Sequence, residues 1–394
     1  MLSYGNFISN GKFSKLKHVV LIQFALMMIF YGISILLYGN TFWHTPLISA
    51  LFVIIILFLS PVKSEIPRKK VYVSGALNQL VYTFIALIII FYILKYQLYG
   101  VPAFSQSVSI FRVEFARHLA IPSDIIKFGS FIIISLIIIY KLNRAALFIL
   151  LLTLTIINFL NGFRSAIVDP FIVLLIAHLV SGGRINFRTI ILISLVSFLL
   201  FTLLIYTTLV RSGIPLSELN LAIETLVRRL FYVNYLNIER VANIYELSLL
   251  GASYWWDFQS LLGIRMGFNG TTTMLSGFGD YQNYTMTPTL FGETLANFGV
   301  IGTQILFMCL PILLVLLLII YRKIDTNIYL LKSTFMVFIF SFIRYMQPHG
   351  IGSFLFSHSV KLFVSAIFIA VLFVIIRILS SPIDVNTNNI LEIK

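Results

Sequence analysis

Long runs of Ile, Leu, Val and Phe alternate with short polar connections along the chain, and a single polar stretch, 211–293, interrupts them at length. The runs lack the period-2 alternation of barrel strands, and several exceed the length of about 18 apolar residues that marks a spanning helix. Only helices and closed barrels satisfy the backbone in hydrocarbon. The pattern therefore predicts an all-α polytopic membrane protein with about 10 transmembrane helices. They are placed at about 19–38, 43–60, 72–94, 123–140, 145–161, 165–181, 189–210, 295–320, 329–346 and 358–379. No solenoid-type repeat or low-complexity tract divides the chain, so residues 1–394 read as a single transmembrane domain.

Charge gives this bundle a direction. Of the 28 Lys and Arg residues, 16 fall on the side that carries both termini, on short connections, against 4 acids; the other side receives 12 basic and 10 acidic residues. The positive-inside rule makes the first side cytoplasmic. Both termini are then inside, and loops at about 95–122 and 211–293 are extracytoplasmic. The formal charge of +14 becomes mostly a topology signal, and nucleic acid is not needed as a partner. Composition agrees: 59% hydrophobic and 11% charged, against about 45–50% and 25% in globular proteins. The first apolar run, after Lys12, Lys15 and Lys17, is too long for a signal-peptide core and reads as a retained helix. The one cysteine, Cys309, lies in an apolar run, which excludes a disulfide framework and a thiolate metal site.

In the first half of the large loop, Leu219, Ala222, Ile223, Leu226, Leu230 and Val233 recur at helical spacing after Ser217 as N-cap, which predicts an amphipathic helix on the membrane surface. Its second half, with Gly263, Gly267, Gly270, Gly277 and Gly279, reads as loop. The other loop carries Arg112, Glu114, Arg117 and His118.

Candidate chemistry gathers at the external rim. Arg164 falls in the turn between the fifth and sixth helices, and Asp169 follows about one and a half turns later; ionisable groups at that depth are costly, which makes function the default reading. The alternatives are a structural Arg–Asp pair or an Arg reaching lipid phosphates. Arg344 sits beside a Pro- and Gly-broken helix end, as if lining a cavity. With Arg211, Arg228, Arg229 and Arg265 it makes a set suited to a diphosphate, since the guanidinium fork takes two oxygens at once. Arg228 and Arg229 point about 100° apart on a helix, so at most one faces a site. His349 and Glu293 are the general-base candidates: His titrates near working pH, and a carboxylate at a membrane rim can have its affinity for protons raised. Trp255 and Tyr284 offer aromatic or polar surface for a sugar, although an interfacial aromatic belt explains Trp255 equally well. His44 and His178 read as packing residues, and His358 has little beyond its position to recommend it. No zincin, nucleophile-elbow or P-loop motif occurs.

Two short places carry a resemblance. Gly162-Phe-Arg164-Ser165-Ala166, and Thr287-Pro288 followed by Gly292-Glu293 and Asn297-Phe-Gly299-Val-Ile-Gly302, resemble the oligosaccharide repeat-unit polymerases (Wzy-type O-antigen and capsule polymerases), whose topology the whole chain is similar to. The related O-antigen ligases share the plan. The resemblance implies a metal-independent glycosyltransferase without cofactor in the bacterial cytoplasmic membrane. It would join undecaprenyl-diphosphate-linked repeat units on the outer face into O-antigen, capsule or exopolysaccharide. Arginines would hold the leaving diphosphate, and His349 or Glu293 would take the acceptor proton. Implied partners are the lipid-linked oligosaccharide, membrane lipids, a flippase and a chain-length regulator. Two rival readings are a lipid-linked oligosaccharide flippase, for which Asp169 is the one intramembrane charge counted from the sequence, and a ligase-like transferase.

Overall fold

The computed structural model of the 394-residue chain describes residues 75–105, 108–162, 164–181 and 289–380, with scattered positions between 195 and 258. The spans expected at about 19–38 and 43–60, most of that at 189–210, both termini and nearly all of the large loop lie outside the described residues. All regular structure described is helical. In chain order it comprises α1 (Gly75–Tyr99), α2 (Val108–Arg117), α3 (Ala120–Tyr140), α4 (Arg144–Leu160), α5 (Arg164–Val180), α6 (Thr289–Lys323), α7 (Tyr329–Ser353) and α8 (Ser359–Ser380). Among the described residues, five helical stretches, Gly75–Phe104, Ala120–Tyr140, Leu290–Lys323, Tyr329–Met346 and His349–Ser380, are long and apolar enough to cross a membrane. These apolar helices make the chain a membrane protein.

The residues of α3 would be poor helix formers in water, because Ile132, Ile133 and Ile134 are β-branched. That penalty is a few tenths of a kcal/mol per residue, whereas an unsatisfied backbone group in hydrocarbon costs several, so the helix wins. The chain then turns tightly. Lys141 adopts the left-handed conformation and its N–H donates to Ile137 O, and the Asn143 side chain accepts from Ala145 N at 2.8 Å to start α4. Gly162, at φ +70°, makes the corresponding turn into α5.

α3 is the centre of the bundle and packs against α5, α7 and α8; α1 packs on α8 and α4, and α6 on α7. Where α1 meets α3 the fit is close: a Cβ on Gly129 would lie 2.7 Å from Cζ of the fully buried Phe84. Away from these contacts the helices present Ile90, Leu98, Ile301, Phe363 and Leu379, all exposed, as a membrane-facing surface requires.

Three stretches depart from the expected outline. The segment 95–122, expected as a loop, is mostly helical: α1 runs on to Tyr99, Pro102–Phe104 forms a 3-10 turn, and α2 precedes α3. Lys95 ended the apolar run in sequence but is buried inside the helix, 2% exposed. The turn expected between the last two spans is also helical, with a break at Gly350 (φ +84°, ψ 176°) and a π-helical turn, Phe354–His358, leading into α8. α6 begins before the expected 295 and is broken at Gly299 (φ +66°, ψ −170°). Its first part is buried on every side, including Glu293, Thr294 and Asn297. Two of those polar side chains are satisfied by their own helix, Thr294 Oγ1 donating to Leu290 O at 2.9 Å and Asn297 Nδ2 to Glu293 O at 2.7 Å. In the large loop, Leu216–Glu218 is a 3-10 turn that enters helical residues 219–221, where the amphipathic helix was expected to start.

Candidate functional site

The ends of α1 and α7 and the beginnings of α3, α5, α6 and α8 meet at one end of the bundle, and the buried charges are there. At the centre is Asp169 on α5, 1% exposed. Its Oδ1 accepts from Arg344 Nε at 2.9 Å and its Oδ2 from the Tyr345 hydroxyl at 2.7 Å, both from α7. Lys127 Nζ of α3 stands 3.8 Å from the same Oδ2. Adjacent residues on one helix point about 100° apart, so Arg344 and Tyr345 reach a single carboxylate only because its two oxygens face different ways. A buried carboxylate with this many donors is held in one orientation. Pro170, next in the chain, removes one backbone donor inside α5 without ending the helix.

Beyond Tyr345 stand two histidines. The His358 ring stacks on Tyr345 at 4.5 Å between centroids and 8° between planes, and lies 5.1 Å from the His349 ring. Nδ1 of His358 is buried and has no hydrogen-bond partner among the described residues. On the same side, Lys361 Nζ pairs with Asp124 Oδ2 at 2.9 Å, linking α8 to α3.

Glu293 holds the elbow at Gly350 in place. Its carboxylate accepts from Ile351 N at 2.5 Å and Gly352 N at 3.3 Å, the first donors of the helix that restarts after the break. Such N–H groups have no partner within their own helix and carry the positive end of its dipole, so an anion suits them. A Cβ at position 350 would overlap Glu293 Oε2. Only glycine meets both the positive φ and this approach. The carboxylate therefore positions His349, one residue before the elbow, whatever else it does.

A cavity of about 240 Å³ adjoins the cluster, enclosed by α1 to α5. Lys127 lines both. The other polar lining groups are Tyr92, Lys95, Ser123, Asp124, Asn158 and Asn161. Tyr96 fixes Asn161 by donating to its Oδ1 at 3.0 Å, and Asn158 Nδ2 donates to Ala166 O at 2.9 Å, tying α4 to α5.

Of the residues singled out from sequence, the structure brings Arg344, Asp169 and His349 together, with Glu293 at the neighbouring elbow. Arg164 opens α5 one and a half turns before Asp169; Asp169 pairs with Arg344. Arg211, Arg228, Arg265, Trp255 and Tyr284 lie outside the described residues. Sequence reasoning passed over Lys95, Lys127, Asp124 and Lys361, counting them with the external charges, and set His358 aside. The available signal was position: each is an ionisable residue inside or within a turn of an apolar run, the pattern that made Asp169 conspicuous. Among the described residues, no three His, Cys, Asp or Glu side chains are grouped to hold a metal ion. Comparison with protein-family models, curated proteins and solved structures finds no match to the chain.

Proposed function

We propose that this chain is a membrane glycosyltransferase that polymerises oligosaccharide repeat units carried on a polyprenyl diphosphate. The observation that supports this reading is the buried cluster in which two cations, Lys127 and Arg344, are anchored on Asp169 beside a pair of histidines, at the end of a bundle of apolar helices. In the reaction an acceptor hydroxyl attacks the anomeric carbon of the donor glycan. The carbon–oxygen bond to the diphosphate breaks, and the lipid diphosphate leaves with the bonding electrons. Lys127 and Arg344 stabilise the charge gathering on that leaving group, joined by Arg164 from the first turn of α5. His349 takes the proton of the attacking hydroxyl. Glu293 is a positioning residue in this scheme, because its carboxylate already serves two backbone amides. Arg211, Arg228 and Arg265, with Trp255 and Tyr284, are proposed to hold diphosphate and glycan from the large loop. The sequence resemblance supports the same substrate class and a place in a bacterial cytoplasmic membrane, with the site on its outer face.

One observation favours a second reading. Lys127, Asp124 and Lys361 add to Asp169 as ionisable groups within the spans, and such groups are what a transporter of lipid-linked oligosaccharides needs. One experiment separates the two. Purified protein is incubated with a lipid-linked repeat unit. A ladder of products that disappears in Arg344→Ala and His349→Ala supports the polymerase; a single addition to another acceptor supports a ligase; translocation without product supports the transporter.

A further inference from the structure

Lys95 is the most unusual charge in the described structure. Its side chain is 2% exposed, and no carboxylate lies within ion-pairing distance of it among the described residues. The ammonium donates to Ser123 Oγ at 2.9 Å and lies 4.3 Å from the centroid of the Phe115 ring. A hydroxyl and an aromatic face are weak compensation for a charge taken out of water, which costs several kcal/mol unless an ion pairs with it. The two acids at or beside the cavity, Asp124 in its lining and Asp169 next to Pro170 of the lining, are already committed elsewhere. Asp124 pairs with Lys361 at 2.9 Å. Asp169 has its closest contacts with Arg344 and Tyr345, at 2.9 and 2.7 Å, and leaves Lys127 at 3.8 Å. Lys95 and Lys127 line the same cavity, whose remaining polar lining includes the amides of Asn158 and Asn161 and the Ser123 hydroxyl. Most of the wall is apolar, and its polar groups apart from Asp124 are cationic or hydrogen-bonding.

We propose that this cavity binds a phosphate-bearing lipid headgroup, its oxyanion held by Lys95 Nζ and Lys127 Nζ. At about 240 Å³ it falls below the roughly 300–1,000 Å³ of pockets that take drug-sized ligands. That is room for a phosphoryl group and little more, not for an oligosaccharide. Its rim favours a lipid over a free ion: Ala120 belongs to the lining, and its neighbours Leu119 and Ile121 are exposed, Ile121 at 73%. An acyl or prenyl chain leaving the cavity there passes over apolar surface. Lys127 is shared with the proposed chemistry, whereas Lys95, Ser123 and Asn158 belong to the cavity alone; the proposal does not rest on that chemistry, since occupancy is read without turnover.

The test uses the full chain in detergent, with short-chain phosphatidic acid, diacylglycerol of the same chains, and inorganic phosphate as probes. Native mass spectrometry and a thermal-shift titration are the readouts. Wild type is expected to retain phosphatidic acid at least tenfold more tightly than diacylglycerol, and Lys95→Met to lose that preference while staying folded. Ser123→Ala, which keeps the charge, is expected to weaken binding by less than Lys95→Met; if Lys95→Met does not fold, Asn158→Ala takes its place and is expected to weaken binding severalfold. Equal retention of the two lipids, or retention unaffected by Lys95→Met, overturns the proposal. Saturation by inorganic phosphate as tight as by phosphatidic acid also overturns it, assigning the cavity to a free oxyanion. A wild type that retains phosphatidic acid but forms no polymer would count against the polymerase reading alone.

Discussion

Replacing Gly350 by alanine tests the elbow that sets the site's shape. Two costs follow from the geometry. The backbone at φ +84°, ψ 176° lies in a region essentially reserved for glycine, worth about 1–3 kcal/mol of strain for another residue. The added Cβ also overlaps the Glu293 carboxylate, with Cδ at 2.6 Å. To escape, the carboxylate gives up its bonds to Ile351 N and Gly352 N, each about 1.5–3 kcal/mol for a charged acceptor. Gly350→Ala is therefore expected to destabilise by about 4–9 kcal/mol if neither bond reforms, from adding those terms. Glu293→Ala forfeits the bonds alone, about 3–6 kcal/mol. In the double variant the overlap is gone and the bonds are lost only once. The two effects should then fall short of additivity by about 3 kcal/mol or more, well beyond the 0.3–0.5 kcal/mol scatter of independent sites. Denaturant titration of the four proteins in detergent, followed by tryptophan fluorescence, measures this directly. Additive effects would refute the contact between Glu293 and the elbow, and with it the positioning role given to the carboxylate.

Three further outcomes are expected. Tyr345→Phe removes the hydroxyl donor to Asp169, so stability should fall by about 1.5–3 kcal/mol, and equilibrium unfolding checks it. His358→Phe keeps the stack on Tyr345 and removes a buried nitrogen that has no partner among the described residues; it should leave stability unchanged or raise it, whereas His349→Ala should abolish product formation in the lipid-linked oligosaccharide assay. Gly129→Leu forces a side chain into Phe84 and should cost about 1–3 kcal/mol by overpacking, seen as a lowered thermal midpoint.

The helices were legible in the sequence because hydropathy is decided residue by residue. Runs placed at about 123–140, 145–161 and 165–181 correspond to Ala120–Tyr140, Arg144–Leu160 and Arg164–Val180. The breaks were not. Gly299 and Gly350 sit in segments whose composition suits either a loop or a kinked helix, and what selects the kink is a carboxylate 57 positions away from Gly350 in the chain. The site was half legible for a related reason. Arg344 and Asp169 stand out as charges in apolar surroundings, but a lysine near a helix end looks the same whether it reaches for water or turns inward. Lys95 and Lys127 turn inward because Ser123 and Asp169, on other turns and other helices, wait there. Pairings of that kind become visible only once helices are set side by side.

The run from the elbow to the end of α8 carries a consequence for the surrounding lipid. The 30 residues 351–380 that follow the break at Gly350 measure about 45 Å at 1.5 Å per residue, against about 30 Å of hydrocarbon. With the Arg377 end held at one surface, an upright helix of this length lifts His349, His358 and Lys361 towards or beyond the opposite boundary, into the wet headgroup zone. Tilting draws the same residues down among acyl chains. Tilting is one of the ways a helix accommodates a bilayer thinner than itself, so bilayer thickness bears on how wet the cluster is, and reconstitution into lipids of graded chain length would tune the site without altering a single residue.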